Sequence, residues 1–425
     1  MSSKWYIIIL LFLSVVTHFA FFGYPNQTVF DEVHFGKFIS AYYTGEYYYD
    51  IHPPLAKLII AGFAYPFDFR PEFAFTNIGD KFQNNKYLWL RLLPSLAGTL
   101  LPLVIYLLIL KLGLSRLAAL TGGLLIIFEN ALLTQSRLIL LDPFLLLFGF
   151  VSLLFYFKYR ETDSKCHLLL TVILASLAAS IKWTGLAFLA LAGIFELYHI
   201  IKDGKYLKIL KLALYFVAIP LLLYFAIFAL HFSLLDKPGS GDTYMDPGFH
   251  SYNVWQKFVD LNIEMYRGNA RLTATHSYGS GWYSWPFMAR PIFYWVSDQA
   301  RIYYHGNPLI YWVSIIAVLM LLVGYLTSKK ERNAVSTFLL SGFLLNLLPF
   351  IGIKRVMFIY HYAIALVFAI LIIIYLADQE ERSKLIFTIL IIAGAAAFVY
   401  FAPLTYGLPL SPEQYENRVW FNSWR

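Results

Sequence analysis

Long apolar runs separated by short charged connectors set the period of this chain. Runs near 5–22, 88–110, 117–134, 143–157, 168–182, 184–200, 212–232, 308–326, 335–352, 356–376 and 385–402 predict eleven membrane-spanning helices. Each approaches the roughly 20 residues a helix needs to cross about 30 Å of hydrocarbon. The third to sixth runs crowd together and some are short. Trp5 to Phe22 is followed by no small-residue cleavage site, so it reads as an uncleaved first helix.

Two stretches break the pattern, about 23–87 and 233–307. In the first, Phe35 to Tyr43 and Leu55 to Phe67 are amphipathic or apolar but too short to span. They predict helices lying at the interface, the second begun by Pro53-Pro54. The second stretch is rich in Gly, Tyr, Trp and His and too polar to enter lipid. With no internal repeat, low-complexity tract or linker, residues 1–425 read as one integrated all-α membrane domain without a separate soluble part.

Composition agrees: 59% of residues are hydrophobic and only 14% charged, which excludes a soluble domain. The single cysteine, Cys166, excludes an internal disulfide and any cysteine-based zinc site. A net charge of +8 would suggest nucleic acid only if the basic residues formed a stripe. Instead they fall in short connectors, among them Lys111 and Arg116, Lys158 to Lys165, Lys202 to Lys211, Lys329 to Arg332, and Arg382 with Lys384. The positive-inside rule places these connectors and the N-terminus in the cytoplasm. Both long loops and the tail from Pro403 then lie outside.

The chemistry-bearing residues collect on that outer side. The first loop carries Asp31-Glu32-Val33-His34-Phe35-Gly36-Lys37 and Asp50-Ile51-His52-Pro53-Pro54-Leu55-Ala56-Lys57. Arg91 lies one turn into the second span, Arg137 and Asp142 in an outer connector, and Lys182 between the fifth and sixth spans. Lys354, Arg355 and His361 lie at the outer end of the tenth. A lone lysine or arginine at a helix end usually snorkels to the headgroups. Together, however, these groups place several cations and a carboxylate pair on one face of the membrane.

That arrangement fits group transfer from a lipid phosphate. No glycine-rich phosphate loop is present, and outside the cytoplasm, without nucleotide sugars or ATP, an activated group must arrive on a lipid phosphate. Cations would hold the phosphate and stabilise the charge that grows on it as it leaves. A phosphate leaves unprotonated, so one carboxylate suffices as base for an incoming hydroxyl. Direct attack would invert the anomeric centre. Asp31, Glu32, His34 and His52 would also suit a divalent ion, although cationic side chains make one unnecessary.

At these motifs the chain resembles the protein O-mannosyltransferases, dolichyl-phosphate-mannose-dependent enzymes of the GT-C membrane glycosyltransferase class. The resemblance continues through Arg91-Leu92-Leu93-Pro94, Glu129-Asn130, Gln135-Ser136-Arg137, Leu141-Asp142-Pro143 and Ser180-Ile181-Lys182-Trp183-Thr184-Gly185. It then takes in His276-Ser277-Tyr278-Gly279, Trp282-Tyr283-Ser284-Trp285-Pro286, Arg355 to Tyr362 and Pro403-Leu404-Thr405-Tyr406-Gly407, in family order over nearly the whole chain.

The resemblance implies a GT-C fold of about eleven spans, an extracytoplasmic active site, Asp31 as base and Glu32 assisting. Arg91, Arg137, Lys182, Lys354 and Arg355 are the candidates for the donor phosphate. His34, His52, His276, Trp282 and His361 are the candidates for the sugar or acceptor site. It further implies mannose transfer from a polyprenyl phosphate to Ser/Thr hydroxyls of exported proteins, with no cofactor required. The implied membrane is the plasma membrane of a bacterium or archaeon, or the ER membrane if the source is eukaryotic. Eukaryotic members pair with one another, and no motif here declares a partner. In one respect the chain departs from the family. Ser233 to Asn307 is too short for the β-trefoil MIR domain that eukaryotic members carry in the second loop.

Two other readings compete. The same architecture could use another lipid-linked sugar, or a lipid or glycan acceptor, since no residue fixes mannose. A transporter would show repeated halves and charges at mid-membrane, and neither is present.

Overall fold

A computed structural model describes residues 3–271 and 275–425. In chain order the helices are α1 (Ser3–Phe19), α2 (Glu32–Thr44), α3 (Leu55–Ala64), α4 (Tyr87–Lys111), α5 (Arg116–Ile127), α6 (Asn130–Ser136), α7 (Asp142–Thr162), α8 (Lys165–Ala179) and α9 (Leu186–Lys202). They continue with α10 (Lys208–Ala213), α11 (Ile219–Leu234), α12 (Val254–Arg271), α13 (Pro308–Thr327), α14 (Ala334–Leu345), α15 (Ala363–Asp378), α16 (Ser383–Tyr406) and α17 (Pro412–Glu416). A hairpin of β1 (Ile292–Ser297) and β2 (Ala300–Tyr304) precedes α13, paired antiparallel from Ile292↔Tyr304 to Ser297↔Ala300.

Among the described residues, eight helical segments are long and apolar enough to cross a membrane. A ninth, α5 with α6, is bent by 61° at its break. The expected third span is therefore broken, because Glu129 accepts from Ala131 N and from the Asn307 backbone amide instead of continuing the helix. The first and fifth expected spans correspond to α1 and α8, apolar helices of 17 and 15 residues. The seventh runs continuously from Lys208 to Leu234 through a π-helical turn at Leu214–Ala218.

Helix exposure separates the core of the bundle from its rim. Every residue of α15 from Ala363 to Tyr375 is buried, as expected for a helix apolar on all sides and surrounded by others. By contrast Leu221, Leu222 and Leu230 of α11 are exposed by more than half. Leucines exposed on an apolar helix of this length face lipid. One apolar core runs from Leu10 to Trp424.

Both interfacial helices expected in the first loop are present, as α2 and as α3 with its 3-10 extension to Phe67. α2 stops where Gly45 turns left-handed, at φ 80°, and donates its N–H back to Ala41 O. The second loop holds two elements that its composition does not announce, α12 and the β-hairpin.

Candidate active site

Asp31 and Glu32 open α2 and turn opposite ways. Glu32 is fully buried, and its carboxylate accepts from Val29 N at 2.9 Å, Ile139 N at 2.9 Å, Arg91 Nε at 2.8 Å and Arg91 Nη2 at 2.7 Å. Arg91 spends its other donors on Gly23 O, Pro25 O and Gln27 O. No N–H of Arg91 is left for a phosphate, and both oxygens of Glu32 are taken up by donors of the protein itself. The pair is a clamp that ties the start of α2 to the first turns of α4. Direct phosphate binding, expected of Arg91 from the sequence, does not fit this geometry, and the assistance expected of Glu32 takes the form of holding its neighbour Asp31 in place.

Among the described residues, nothing hydrogen-bonds to the Asp31 carboxylate. Asp31 precedes α2 without making a side-chain cap bond, and only its backbone oxygen is used, by His34 N and Phe35 N. The preceding loop is pinned. Phe30 holds a left-handed φ of 47°, donates its N–H to Tyr294 O, and stacks on the Tyr294 ring at 4.0 Å. A bulky residue held there is strained, and such strain persists only where its surroundings over-determine it. Burial pushes the Asp31 carboxyl up to about 7; Lys182 opposes the rise, while Asp142 and Asp50 add to it. Such a carboxylate can take up a proton near neutrality.

Two of the groups that act on this carboxylate, Lys182 and Asp142, line a cavity of about 410 Å³ with His52, Lys354, Arg355, Tyr360, His361 and apolar residues of α7 and α15; Asp31 itself is not in the lining. Lys182 Nζ lies 2.8 Å from both oxygens of Asp142, which also accepts from Gln135 Nε2 at 2.6 Å. Gln135 in turn accepts from Tyr294 OH, so a polar chain runs from Lys182 back to the hairpin under Phe30. Arg355 reaches His361 Nε2 at 3.4 Å and, among the described residues, neither it nor Lys354 pairs with a carboxylate. The wall thus holds two cations without a counter-charge, an arrangement that suits an anion.

A second buried ion pair supports the wall. Lys57 pairs with Asp50 and donates to His52 O at 3.0 Å, and Asp50 accepts from His52 N at 3.2 Å. Burial pulls the Lys57 ammonium down while Asp50 raises it. Burial, then Lys182 and Lys57, pull His52 well below the usual imidazole range, so it faces the cavity neutral.

Of the residues singled out in the sequence, His52, Lys182, Lys354, Arg355 and His361 meet at the cavity, and Asp31 lies within electrostatic reach of Lys182. Arg137 does not: its guanidinium donates to Ala20 O and Phe21 O and lies 4.3 Å from the Tyr406 ring centroid. His34 and His276 are exposed, and neither they nor Trp282 line the cavity. The tryptophan that lines the cavity is Trp183, while Trp285 lies outside the lining and stacks on His361 with ring centroids 5.8 Å apart. Tyr360 was also missed; Lys182 Nζ lies 5.5 Å from its ring centroid. Its place directly before His361 is the one feature of the sequence that could have indicated it. Among the described residues, no three His, Cys, Asp or Glu side chains gather closely enough to hold a metal ion.

The fold is that of a GT-C membrane glycosyltransferase. A yeast (S. cerevisiae) protein O-mannosyltransferase Pmt1-Pmt2 complex bound to the sugar donor matches over 100% of this chain and 93% of that one, with a TM-score of 0.93 at 19% identity. ArnT from Cupriavidus metallidurans bound to undecaprenyl phosphate matches over 92% and 63%, with a TM-score of 0.57 at 14% identity. Residues 8–236 match the family model of the dolichyl-phosphate-mannose-protein mannosyltransferases, and residues 254–424 the C-terminal four-TMM region of protein-O-mannosyltransferase. The chain belongs to this family. Protein O-mannosyltransferase 1 of Drosophila pseudoobscura pseudoobscura is 34% identical over 57% of this chain and 28% of its own length. Dolichyl-phosphate-mannose--protein mannosyltransferase 4 of Candida albicans is 35% identical over 56% and 34%. The chain thus spans about a third of the length of these curated relatives.

Proposed function

We propose that the protein is an inverting mannosyltransferase that moves mannose from a polyprenyl phosphate to a Ser or Thr hydroxyl of an exported protein. The observation that carries this reading is the cavity in which Lys182, Lys354 and Arg355 meet, with the Asp31 carboxylate within electrostatic reach of Lys182. Lys354 and Arg355 hold the donor phosphate. Lys182, anchored by Asp142, adds positive charge where charge grows as the phosphate leaves. Asp31 accepts the hydroxyl proton while the acceptor oxygen bonds to the anomeric carbon. The bond from that carbon to the phosphate oxygen breaks, and polyprenyl phosphate departs as the anion. The names of the relatives favour mannose and a protein acceptor. No cofactor enters this reading, because side-chain cations take the role a divalent ion would play. The active site opens on the extracytoplasmic face of a bacterial or archaeal plasma membrane, or of the ER membrane in a eukaryote.

The test is reconstitution of the purified chain in vesicles with radiolabelled polyprenyl-phosphate mannose and a Ser/Thr-rich peptide. Label on the peptide hydroxyls is expected. Label passing to a lipid or glycan, or transfer only from a different lipid-linked sugar, would replace the acceptor or the donor while leaving the reaction class.

A further inference from the structure

Helix α12 carries three faces. Phe258, Leu261, Asn262 and Met265 pack against the protein. Trp255, Val259, Ile263 and Tyr266 form an exposed apolar stripe at spacings of four, four and three residues, within about 80° on a helical wheel at 3.6 residues per turn. Gln256, Asp260, Glu264 and Arg267 form a polar stripe beside it. A helix with one face on protein, one apolar and one polar suits the boundary between hydrocarbon and water.

Two observations identify what covers the apolar stripe. Trp255 and Phe258 lie against Phe225 of α11, with ring centroids 5.6 and 5.2 Å apart. Phe225 stands nine residues before Leu234, the last residue of α11, or about 13 Å back along the helix. Over that interval Leu230 and Leu234 are exposed, as are Leu221 and Leu222 further back. The stripe of α12 therefore continues the lipid-facing surface of α11. At its other end, Tyr266, Asn269 and Ala270 form part of the cavity wall that faces Lys354 and Arg355.

We propose that α12 lies immersed in the outer leaflet and forms the sill over which the prenyl chain of the donor passes sideways into the cavity. The route rests on the lipid-phosphate reading above; the membrane placement does not. Acyl chains cover Trp255, Val259 and Ile263, while Gln256 and Arg267, both exposed, stay at the water surface. The polar stripe carries both signs, so the placement needs no anionic headgroup.

The experiment uses the full chain in lipid nanodiscs, with Cys166→Ser and single nitroxide-labelled cysteines at 255, 259, 263, 256 and 267. Oxygen, which partitions into lipid, should relax the first three labels most strongly, and a water-soluble nickel chelate the last two. Equal access of the chelate to 259 and 256 would overturn the placement. So would exclusion of both reagents from 259 and 263, which would mean that a second copy or another protein segment covers the stripe. For the route, Ile263→Glu should raise KM several-fold for a long-chain polyprenyl donor and leave KM for a short-chain, water-soluble donor unchanged. An unchanged KM for the long-chain donor would overturn it. Transfer from no polyprenyl donor at all, with the accessibility pattern intact, would count against the transferase reading and uphold the membrane placement.

Discussion

Arg91 grips both carboxylate oxygens of Glu32 from 59 residues away, and neither side chain is exposed to solvent. The pair is completed by three carbonyls on the guanidinium and two backbone amides on the carboxylate. Its work is to fix where α2 begins, and so to fix the residue before it, Asp31.

The clamp should behave as a stability element. Removing one partner leaves an uncompensated buried charge, which costs about 3–5 kcal/mol. Arg91→Ala and Glu32→Gln should each lower the thermal midpoint of the detergent-purified protein sharply. An apolar double replacement, Glu32→Leu with Arg91→Met, should recover part of the loss. A double variant less stable than the sum of its singles would show that the two residues are not a mutual pair.

Asp31 should govern the acid side of the rate profile. Only its ionised form accepts a proton, and the ionised fraction grows with pH, so turnover at saturating donor should climb through about pH 7. Lys182 holds this carboxyl down and Asp142 pushes it up. Lys182→Gln should therefore move the acid limb to higher pH, and Asp142→Asn should move it lower. Asp31→Asn should cut turnover by about 10² or more, with donor binding retained. A limb that stays in place in both neighbouring variants would assign it to another group.

Arg355 and Lys354 should act on the donor. Each lacks a carboxylate partner among the described residues, so neither is needed to neutralise a buried charge. Arg355→Ala should raise KM for the lipid-linked sugar with little change in thermal midpoint, by about 2–4 kcal/mol of lost electrostatic contact if it meets the phosphate directly. Lys354, more exposed, should give the smaller effect. A loss of stability equal to the loss of activity would make Arg355 structural.

The basic connectors predict the membrane orientation. With Cys166 replaced, because it is exposed, a cysteine at Thr243 should react with an impermeant maleimide added outside intact cells. One at Gly204 should react only after lysis. Both positions are exposed in the fold, so burial would not confuse the outcome. The reverse pattern would move the active site to the cytoplasm.

Much of this protein is written in its hydropathy. Apolar runs of near-spanning length can satisfy their backbone groups in lipid only as helices, and helices stand at all the predicted runs, although two are short and one is bent. The interfacial helices α2 and α3 were legible for the same reason, from short apolar stretches opened by a polar or proline residue. The break at Glu129 was not, because it depends on the Asn307 amide, 178 residues away. α12 was hidden by its composition: its exposed stripe is apolar only at four- and three-residue spacing, within a loop whose average is polar.

The candidate site divides along the same line. Sequence alone placed the cations and carboxylates near one face of the membrane, since charges must leave the hydrocarbon. It could not distinguish Arg91 and Arg137 from Lys354 and Arg355, because all four are basic residues beside apolar runs. Only the folded chain decides which guanidinium is consumed by carbonyls and a buried carboxylate, as at Arg91, and which keeps donors free at a cavity wall, as at Arg355. The neighbouring carboxylates divide in the same way. The backbone at Phe30 and the start of α2 send Glu32 into the core and leave Asp31 within electrostatic reach of Lys182, and that choice rests on contacts with residues 91, 139 and 294.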